Sequence, residues 1–374
     1  MQRLTFPDVG EAAVLADPAF SSNKRRPLHR WVNWIAGFSA DFVASTIERY
    51  LGSADPASAC VLDPFAGVGT TLVEAFRRRF GTVGFEINPF AALAARLKLA
   101  CVRLDLATFE AAIATYDRLL GEVEAETDAA YRANGSTDWD ARLPQPASAP
   151  PRAFRSRVPF FSPPVLRKVL FTLDYVGGLR EGDPLIADMF RLAFGATMVG
   201  YSNYTYEPSL GSRPGSGKAL IDNASVRLPV VAKLSEMLAD AAELQTKLGR
   251  RAQPALAAVH ATSFFQAGEV LPPASIDLVV TSPPYLNNYH YPRNTRPQVH
   301  WLFSDDAARI LRQMETESFG TFWQTVRDLP PIALHMPHAG LGERLAALRD
   351  VSLPLLPCPV AAAQARGARR HRRR

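Results

Sequence analysis

Cys60-Val61-Leu62-Asp63-Pro64-Phe65-Ala66-Gly67-Val68-Gly69-Thr70-Thr71 reads as a short buried strand, a glycine turn and the threonine-led opening of a helix. The stretch from Thr71 to Arg79 has helical composition and stops before Gly81; Thr82-Val83-Gly84-Phe85-Glu86-Ile87-Asn88-Pro89 then reads as a second strand ending in an acid. Strand, helix and strand in this order predict a parallel β-α-β unit, with a ligand beyond the carboxyl ends of its strands. Glu86 stands 23 positions after Asp63, about where such units place a carboxylate on ribose hydroxyls. Gly67 and Gly69 let the backbone approach a ligand closely. The third glycine of a dinucleotide fingerprint is missing, because Leu72 occupies its place. That argues against a pyrophosphate ligand and for a nucleoside cofactor without phosphates.

Some 200 residues on, the apolar run Ile276-Asp277-Leu278-Val279-Val280 leads into Thr281-Ser282-Pro283-Pro284-Tyr285. The prolines fix φ and carry no N–H, so this loop offers carbonyl and hydroxyl acceptors together with one aromatic face. Acceptors beside a stacking ring suit the exocyclic amine of a nucleic-acid base taken out of its stack. Ser162-Pro163-Pro164-Val165 has the same core without a preceding strand or a following aromatic, and reads as a polyproline turn.

Together, Asp63 to Thr71, Glu86-Ile87-Asn88-Pro89 and Thr281 to Tyr285 resemble the amino-directed DNA methyltransferases that use S-adenosylmethionine. The likeness covers about residues 30–100 and 260–327. The Ser-Pro-Pro-Tyr form is similar to the cytosine-N4 branch, whereas adenine-N6 enzymes more often have Asp or Asn first. The resemblance implies an α/β, Rossmann-like methyltransferase sheet. It places Asp63, Phe65, Ala66, Gly67, Gly69, Thr70 and Asn88 around the cofactor, with Glu86 on the ribose hydroxyls. Ser282, Pro283, Pro284 and Tyr285 would be catalytic: Ser282 Oγ and the Pro283 carbonyl accept the amine protons, and Tyr285 stacks on the flipped base. Gly37-Phe38-Ser39 is similar to the family's cofactor-side segment, which makes Phe38 a further candidate; Trp31, Trp34, Phe38 and Phe42 recur at helical spacing and predict an N-terminal helix. Where the family often has an acid near the adenine, this chain has Thr262.

Other chemistries fit less well. Cytosine-C5 methylation needs a cysteine nucleophile, usually after proline, and the Pro-Cys pair here is Pro357-Cys358 in the tail. Gly211 to Ala219 resembles a phosphate-binding P-loop, but its first glycine is one position early and Ala219 follows Lys218. His290 has no acid partner or metal spacing beside it, and no metal site is expected. The cysteines Cys60, Cys101 and Cys358 lie far apart, and a reducing, cytoplasmic setting is the expectation. No apolar run approaches the roughly 18 residues of a membrane span, and the N-terminus lacks the order of a signal peptide.

The net charge is +6, and six arginines between Arg366 and Arg374 account for it. Such a tail adds salt-sensitive affinity for phosphates without naming a substrate. Nucleic-acid contacts are expected from Tyr289, Arg293 and Arg296 after the proline loop, and from Arg213 and Lys218 in the Gly/Ser/Pro-rich loop that also holds Tyr201 to Tyr206.

The organisation follows: residues 1–100 carry the N-terminal helix and the cofactor half, 101–259 a largely helical insertion that reads either as target recognition or as structural elaboration, 260–328 the catalytic half, and 329–374 a Pro/Ala/Arg-rich tail. Helices are predicted at Phe109 to Tyr131, Val165 to Leu179, Asp183 to Val199, Val230 to Leu248 and Phe319 to Val326. Only 89 residues follow Tyr285, short of the on the order of 100 that three further strands and their helices require. The C-terminal strands are therefore expected to be missing or altered. DNA is the implied partner, a cognate restriction endonuclease is compatible with it, and oligomeric state is open. Two alternatives stand beside cytosine N4: an adenine-N6 or RNA base-amine methyltransferase, and an inactive nucleic-acid-binding remnant.

Overall fold

The computed structural model describes residues 20–34, 37–134, 139–206, 209–249, 256–284 and 291–317. The chain divides into two units, Met1–Leu329 and Pro330–Arg374, and every described residue belongs to the first.

After two short 3-10 turns, Phe20–Arg25 and His29–Trp31, the elements are α1 (Ala40–Leu51), β1 (Cys60–Asp63), α2 (Thr70–Arg77), β2 (Gly81–Phe85) and α3 (Pro89–Ala100). Then come α4 (Leu106–Asn134), α5 (Pro163–Gly182), α6 (Pro184–Thr197), a hairpin of β3 (Tyr204–Tyr206) and β4 (Leu210–Ser212), and α7 (Arg227–Leu248). The chain returns through β5 (Ala257–His260), α8 (Ala267–Val270), β6 (Leu278–Val279), α9 (Tyr291–Leu302) and α10 (Ala307–Glu317).

The central sheet runs β5-β2-β1-β6 and is parallel throughout. β1 and β2 are buried at every position, as strands covered on both faces must be. On one face, Val61 and Val280 pack with Val43 and Ile47 of α1. On the other, Leu62, Val83 and Phe85 meet Phe264, Leu271 and Ile276. The chain moves from β1 to β2 to β5 in one direction, and β6 then pairs on the opposite side of β1. That reversal is a topological switch point, where open α/β sheets bind ligands. The fold is α/β and Rossmann-like, with substantial helical content between the strands.

β6 carries only two ladder residues, but its neighbours continue the pairing. Asp277 N donates to the Cys60 carbonyl at 3.0 Å, Cys60 N to Asp277 Oδ2 at 2.8 Å, and Val280 N to the Leu62 carbonyl at 3.1 Å. The side chain of Asp277 thus replaces a strand partner and fixes the register that delivers Thr281.

The structure differs from several local expectations. The aromatic stripe from Trp31 to Phe42 does not lie on one helix: Trp31 ends a 3-10 turn, Val32 is extended, and α1 starts at Ala40, where the Ser39 hydroxyl accepts from Asp41 N. Ser162-Pro163-Pro164 is no polyproline turn; its prolines open α5, where the missing N–H groups cost nothing. The loop around Tyr201 to Lys218 contains the hairpin β3–β4. β5, inside the stretch assigned to the insertion, belongs to the central sheet. The expectation of missing or altered C-terminal strands, the helix at Phe319 to Val326, and the arginine tail lie outside the described residues.

Two buried polar anchors hold the site's surroundings. Asp240 of α7 accepts from Leu28 N at 2.7 Å, from Trp31 Nε1 at 2.9 Å and from Arg30 Nη2 at 2.6 Å, fixing the segment that leads to Trp34. Asn88 caps α3 through Phe90 N, and its Nδ2 donates to Thr295 Oγ1 of α9 at 2.8 Å. No described helix is long and apolar enough to cross a membrane.

Candidate functional site

The glycine turn is built by backbone geometry. Ala66 N donates to the Phe85 carbonyl at 2.9 Å and Gly69 N to the Ala66 carbonyl at 2.7 Å, so the turn folds back over the ends of β1 and β2. Gly67 has φ +51° and Gly69 φ +85°, which favours glycine at both. Gly69 is also the N-cap of α2. A Cβ on Gly67 would lie 3.1 Å from Trp34 Nε1, so the absent side chain lets the indole close over the turn. From beneath, the buried Lys98 Nζ donates to the Val68 carbonyl at 2.8 Å, and burial pushes its pKa down to about 7.

Two acids end the strands. Glu86 accepts from Gly67 N at 2.8 Å on one oxygen and from Asn88 N at 2.7 Å on the other. Enclosure away from water pushes it up to about 7, against the lowering effect of those backbone bonds. Asp63 is fully buried; its Oδ1 accepts from Thr281 Oγ1 at 2.7 Å and from Phe65 N at 3.1 Å, while its Oδ2 has no partner. Desolvation pushes it up to about 6 despite the bond from Thr281.

One cleft collects most of the expected cofactor and catalytic residues. From the cofactor half it is lined by Phe38, Phe65, Ala66, Gly67, Thr70, Glu86 and Asn88; from the proline loop come Ser282 and Pro284. Asp63 lies behind this surface, Gly69 caps α2 beneath it, and Pro283 is exposed outside it. Tyr285 and Tyr289 lie outside the described residues. The cleft therefore joins segments more than 200 residues apart at the switch point.

Sequence reasoning passed over part of the lining. Trp34 belonged to a stripe read as helix, yet it faces this cleft. The stretch Thr262 to Phe265, following β5, forms another wall. Phe264 sits between Phe65 and Phe85, with ring centroids 6.3 and 5.5 Å away. The Thr262 hydroxyl donates to Gln266 Oε1, so the position where an acid was expected is a neutral hydrogen-bonding pair. Met314 and Glu317 of α10 complete the lining, with no sequence signal to announce them.

The expected nucleic-acid residues scatter. Arg213 lines a second cavity with Trp34, Tyr204, Tyr206 and Gln298, and its Nε donates to the Ala219 carbonyl at 2.7 Å. Lys218 lies in the turn after β4, bonding through its backbone N–H to the Arg213 carbonyl. Arg293 and Arg296 line a third groove, beside the stretch that leads into α5.

The arrangement fits S-adenosylmethionine. Glu86 keeps acceptor capacity at the cleft, the unpartnered Asp63 Oδ2 is an anion beside the turn, Phe264 and Phe65 supply apolar surface, and no third glycine prepares a pyrophosphate site.

A segment of 77 residues is 32% identical to the type II methyltransferase M.BsoBI of Geobacillus stearothermophilus, covering 20% of this chain and 14% of that protein. Another match, 33% identical over 78 residues, is to the type II methyltransferase M.MjaII of Methanocaldococcus jannaschii, covering 21% of this chain and 14% of that protein. The chain thus spans about one seventh of the length of each of these relatives. No family model and no solved structure matches the chain.

Proposed function

We propose that this chain is an S-adenosylmethionine-dependent DNA methyltransferase that modifies an exocyclic base amine, with cytosine N4 favoured. The observation that carries the reading is the meeting, at one switch-point cleft, of the glycine turn and Glu86 with Ser282 and Pro284, latched by Thr281 on Asp63. The two relatives named as type II methyltransferases support the transfer chemistry.

S-adenosylmethionine, when bound, supplies a methyl group on a sulfonium, already activated for displacement. Glu86 would hold the ribose hydroxyls, and the turn at Gly67, backed by the buried Asp63, would hold the methionine end. A base amine is a poor nucleophile because its lone pair is delocalised into the ring. Ser282 Oγ and the Pro283 carbonyl would accept its two N–H protons and localise that lone pair. No strong general base is then needed for attack: the nitrogen–methyl bond would form as the sulfonium–methyl bond breaks, leaving a neutral thioether, and the methylated nitrogen would release its extra proton to solvent, with alignment and electrostatics lowering the barrier. Tyr285 would stack on the extruded ring, a contact worth on the order of 1–3 kcal/mol. A cognate restriction endonuclease is a partner compatible with this reading.

Incubation with methyl-labelled cofactor and mixed-sequence DNA, followed by digestion to nucleosides, tests this. Label in N4-methylcytosine is expected. Label only in N6-methyladenine moves the target to adenine, and preferential labelling of transfer RNA over duplex DNA moves it to RNA. Folded protein that shows no calorimetric binding of the cofactor would be a nucleic-acid-binding remnant, and the proposal would fail.

A further inference from the structure

Four arginines converge on a groove separate from the cofactor cleft. Arg155 and Arg157 come from the stretch that leads into α5, and Arg293 and Arg296 from the first turns of α9, so segments some 140 residues apart share one wall. All four side chains are exposed. Glu315 is the single acid among the described lining residues, which leaves the groove strongly positive.

The arrangement is fixed rather than incidental. The Arg296 guanidinium lies 5.7 Å from the Phe154 ring centroid, and Phe154 contacts the His300 ring at 5.0 Å, so α9 and the arginine stretch pack together. Arg157 N donates to the Tyr204 hydroxyl at 3.1 Å, which ties the same stretch to β3. The half-buried Tyr204 lines the groove among the charges, its ring held 5.2 Å from that of the buried Phe160. Planar guanidinium forks match phosphate oxygens, and arginines interleaved with rings suit a nucleic-acid strand.

We propose that this groove carries the sugar–phosphate backbone of the nucleic-acid substrate, with Arg155, Arg157, Arg293 and Arg296 on successive phosphates. The proposal rests on the reading of this chain as a base-amine methyltransferase and adds the path of the strand. α9 links the two places: its Thr295 is bonded to Asn88 at the end of β2, while its arginines face the groove. The residues between α4 and α5 thus supply half of the backbone track.

The test measures binding of the full chain to labelled duplexes of unrelated sequence across a salt series. Neutralising each phosphate contributes about 0.9 to the slope of log affinity against log salt. Arg155→Ala/Arg157→Ala should lower that slope by about 2 and weaken all duplexes alike, with calorimetric cofactor binding unchanged. Arg155→Lys/Arg157→Lys should keep the slope, which separates charge from structural damage. An unchanged slope in the alanine pair, with DNA binding and methylation intact, would overturn the groove and leave the methyltransferase reading standing. Weakening confined to one sequence would overturn backbone contact in favour of base reading. Absence of DNA binding by the unaltered chain would overturn the underlying reading itself.

Discussion

Thr281 Oγ1 donates a 2.7 Å hydrogen bond to Asp63 Oδ1, joining residues 218 apart in the sequence. The bond ties the proline loop after β6 to the end of β1, and Thr71 Oγ1 adds a second tie by donating to the Val280 carbonyl at 3.1 Å. Asp63 is fully buried, so this hydroxyl satisfies a group with no access to water. Thr281→Val keeps the shape and removes the donor, which should destabilise the protein by about 1–3 kcal/mol. Urea denaturation should show a lower midpoint with an unchanged m-value, and Thr281→Ser should recover most of the loss. Equal stability of Thr281→Val and the unaltered chain would show that the latch contributes nothing.

The two raised carboxyls give stability and cofactor affinity opposite dependences on pH. Asp63 titrates near 6 and Glu86 near 7, above their ordinary values of 3.8 and 4.5. The folded chain therefore holds these protons more tightly than the unfolded one. The resulting stabilisation is complete below the ordinary values and is lost as pH rises through about 6 and 7. A cofactor whose ribose donates to ionised Glu86 needs the proton gone, so its affinity should rise by up to about tenfold per pH unit below 7 and level off above it. Calorimetric titrations from pH 5.5 to 8.5 check this, and Glu86→Gln should bind weakly with a flattened profile.

The β-α-β unit was readable because its signals are local. The buried strand, glycine turn and acid lie within thirty residues; the observed α2 matches the expected span within two residues, and β2 ends at Phe85, directly before the acid. Helices α4 to α7 also appear where their apolar spacing placed them, with somewhat different ends. What escaped depends on long-range contacts. Trp34 reaches the cleft because Asp240, some two hundred residues away, anchors Trp31 beside it. The groove arginines Arg155 and Arg157 gain a role only once α9 packs on Phe154. Ser162-Pro163-Pro164 and Ser282-Pro283-Pro284 look alike in sequence; one opens a helix, and the other follows a strand at the sheet's switch point.

Gly69 is constrained twice. Its φ of +85° disfavours any side chain, and a Cβ would sit 2.9 Å from Ala95 Cβ and 3.1 Å from Ala95 Cα. Gly69→Ala should therefore cost more than the about 1 kcal/mol of ordinary positive-φ substitution and lower cofactor affinity along with stability. Ala95→Gly should relieve the contact with the Ala95 methyl, but neither the approach to its Cα nor the dihedral strain. The double variant should thus recover only part of the thermal midpoint. Full recovery would show that side-chain crowding alone dictates glycine here.

Ser282 separates chemistry from cofactor binding. It lines the cleft from the proline loop, whereas Glu86 and the glycine turn come from the β1–β2 half of the sheet. If its hydroxyl accepts an amine proton, Ser282→Ala removes one aligned hydrogen bond at the reacting nitrogen and leaves the cofactor's own partners in place. A loss of about 1.4–2.7 kcal/mol in the transition state corresponds to roughly 10- to 100-fold in kcat. Cofactor Kd should stay within about twofold, a change of only about 0.4 kcal/mol. Single-turnover assays beside calorimetry read the two quantities separately. Parallel losses in both would place Ser282 in the cofactor site and remove it from the chemistry.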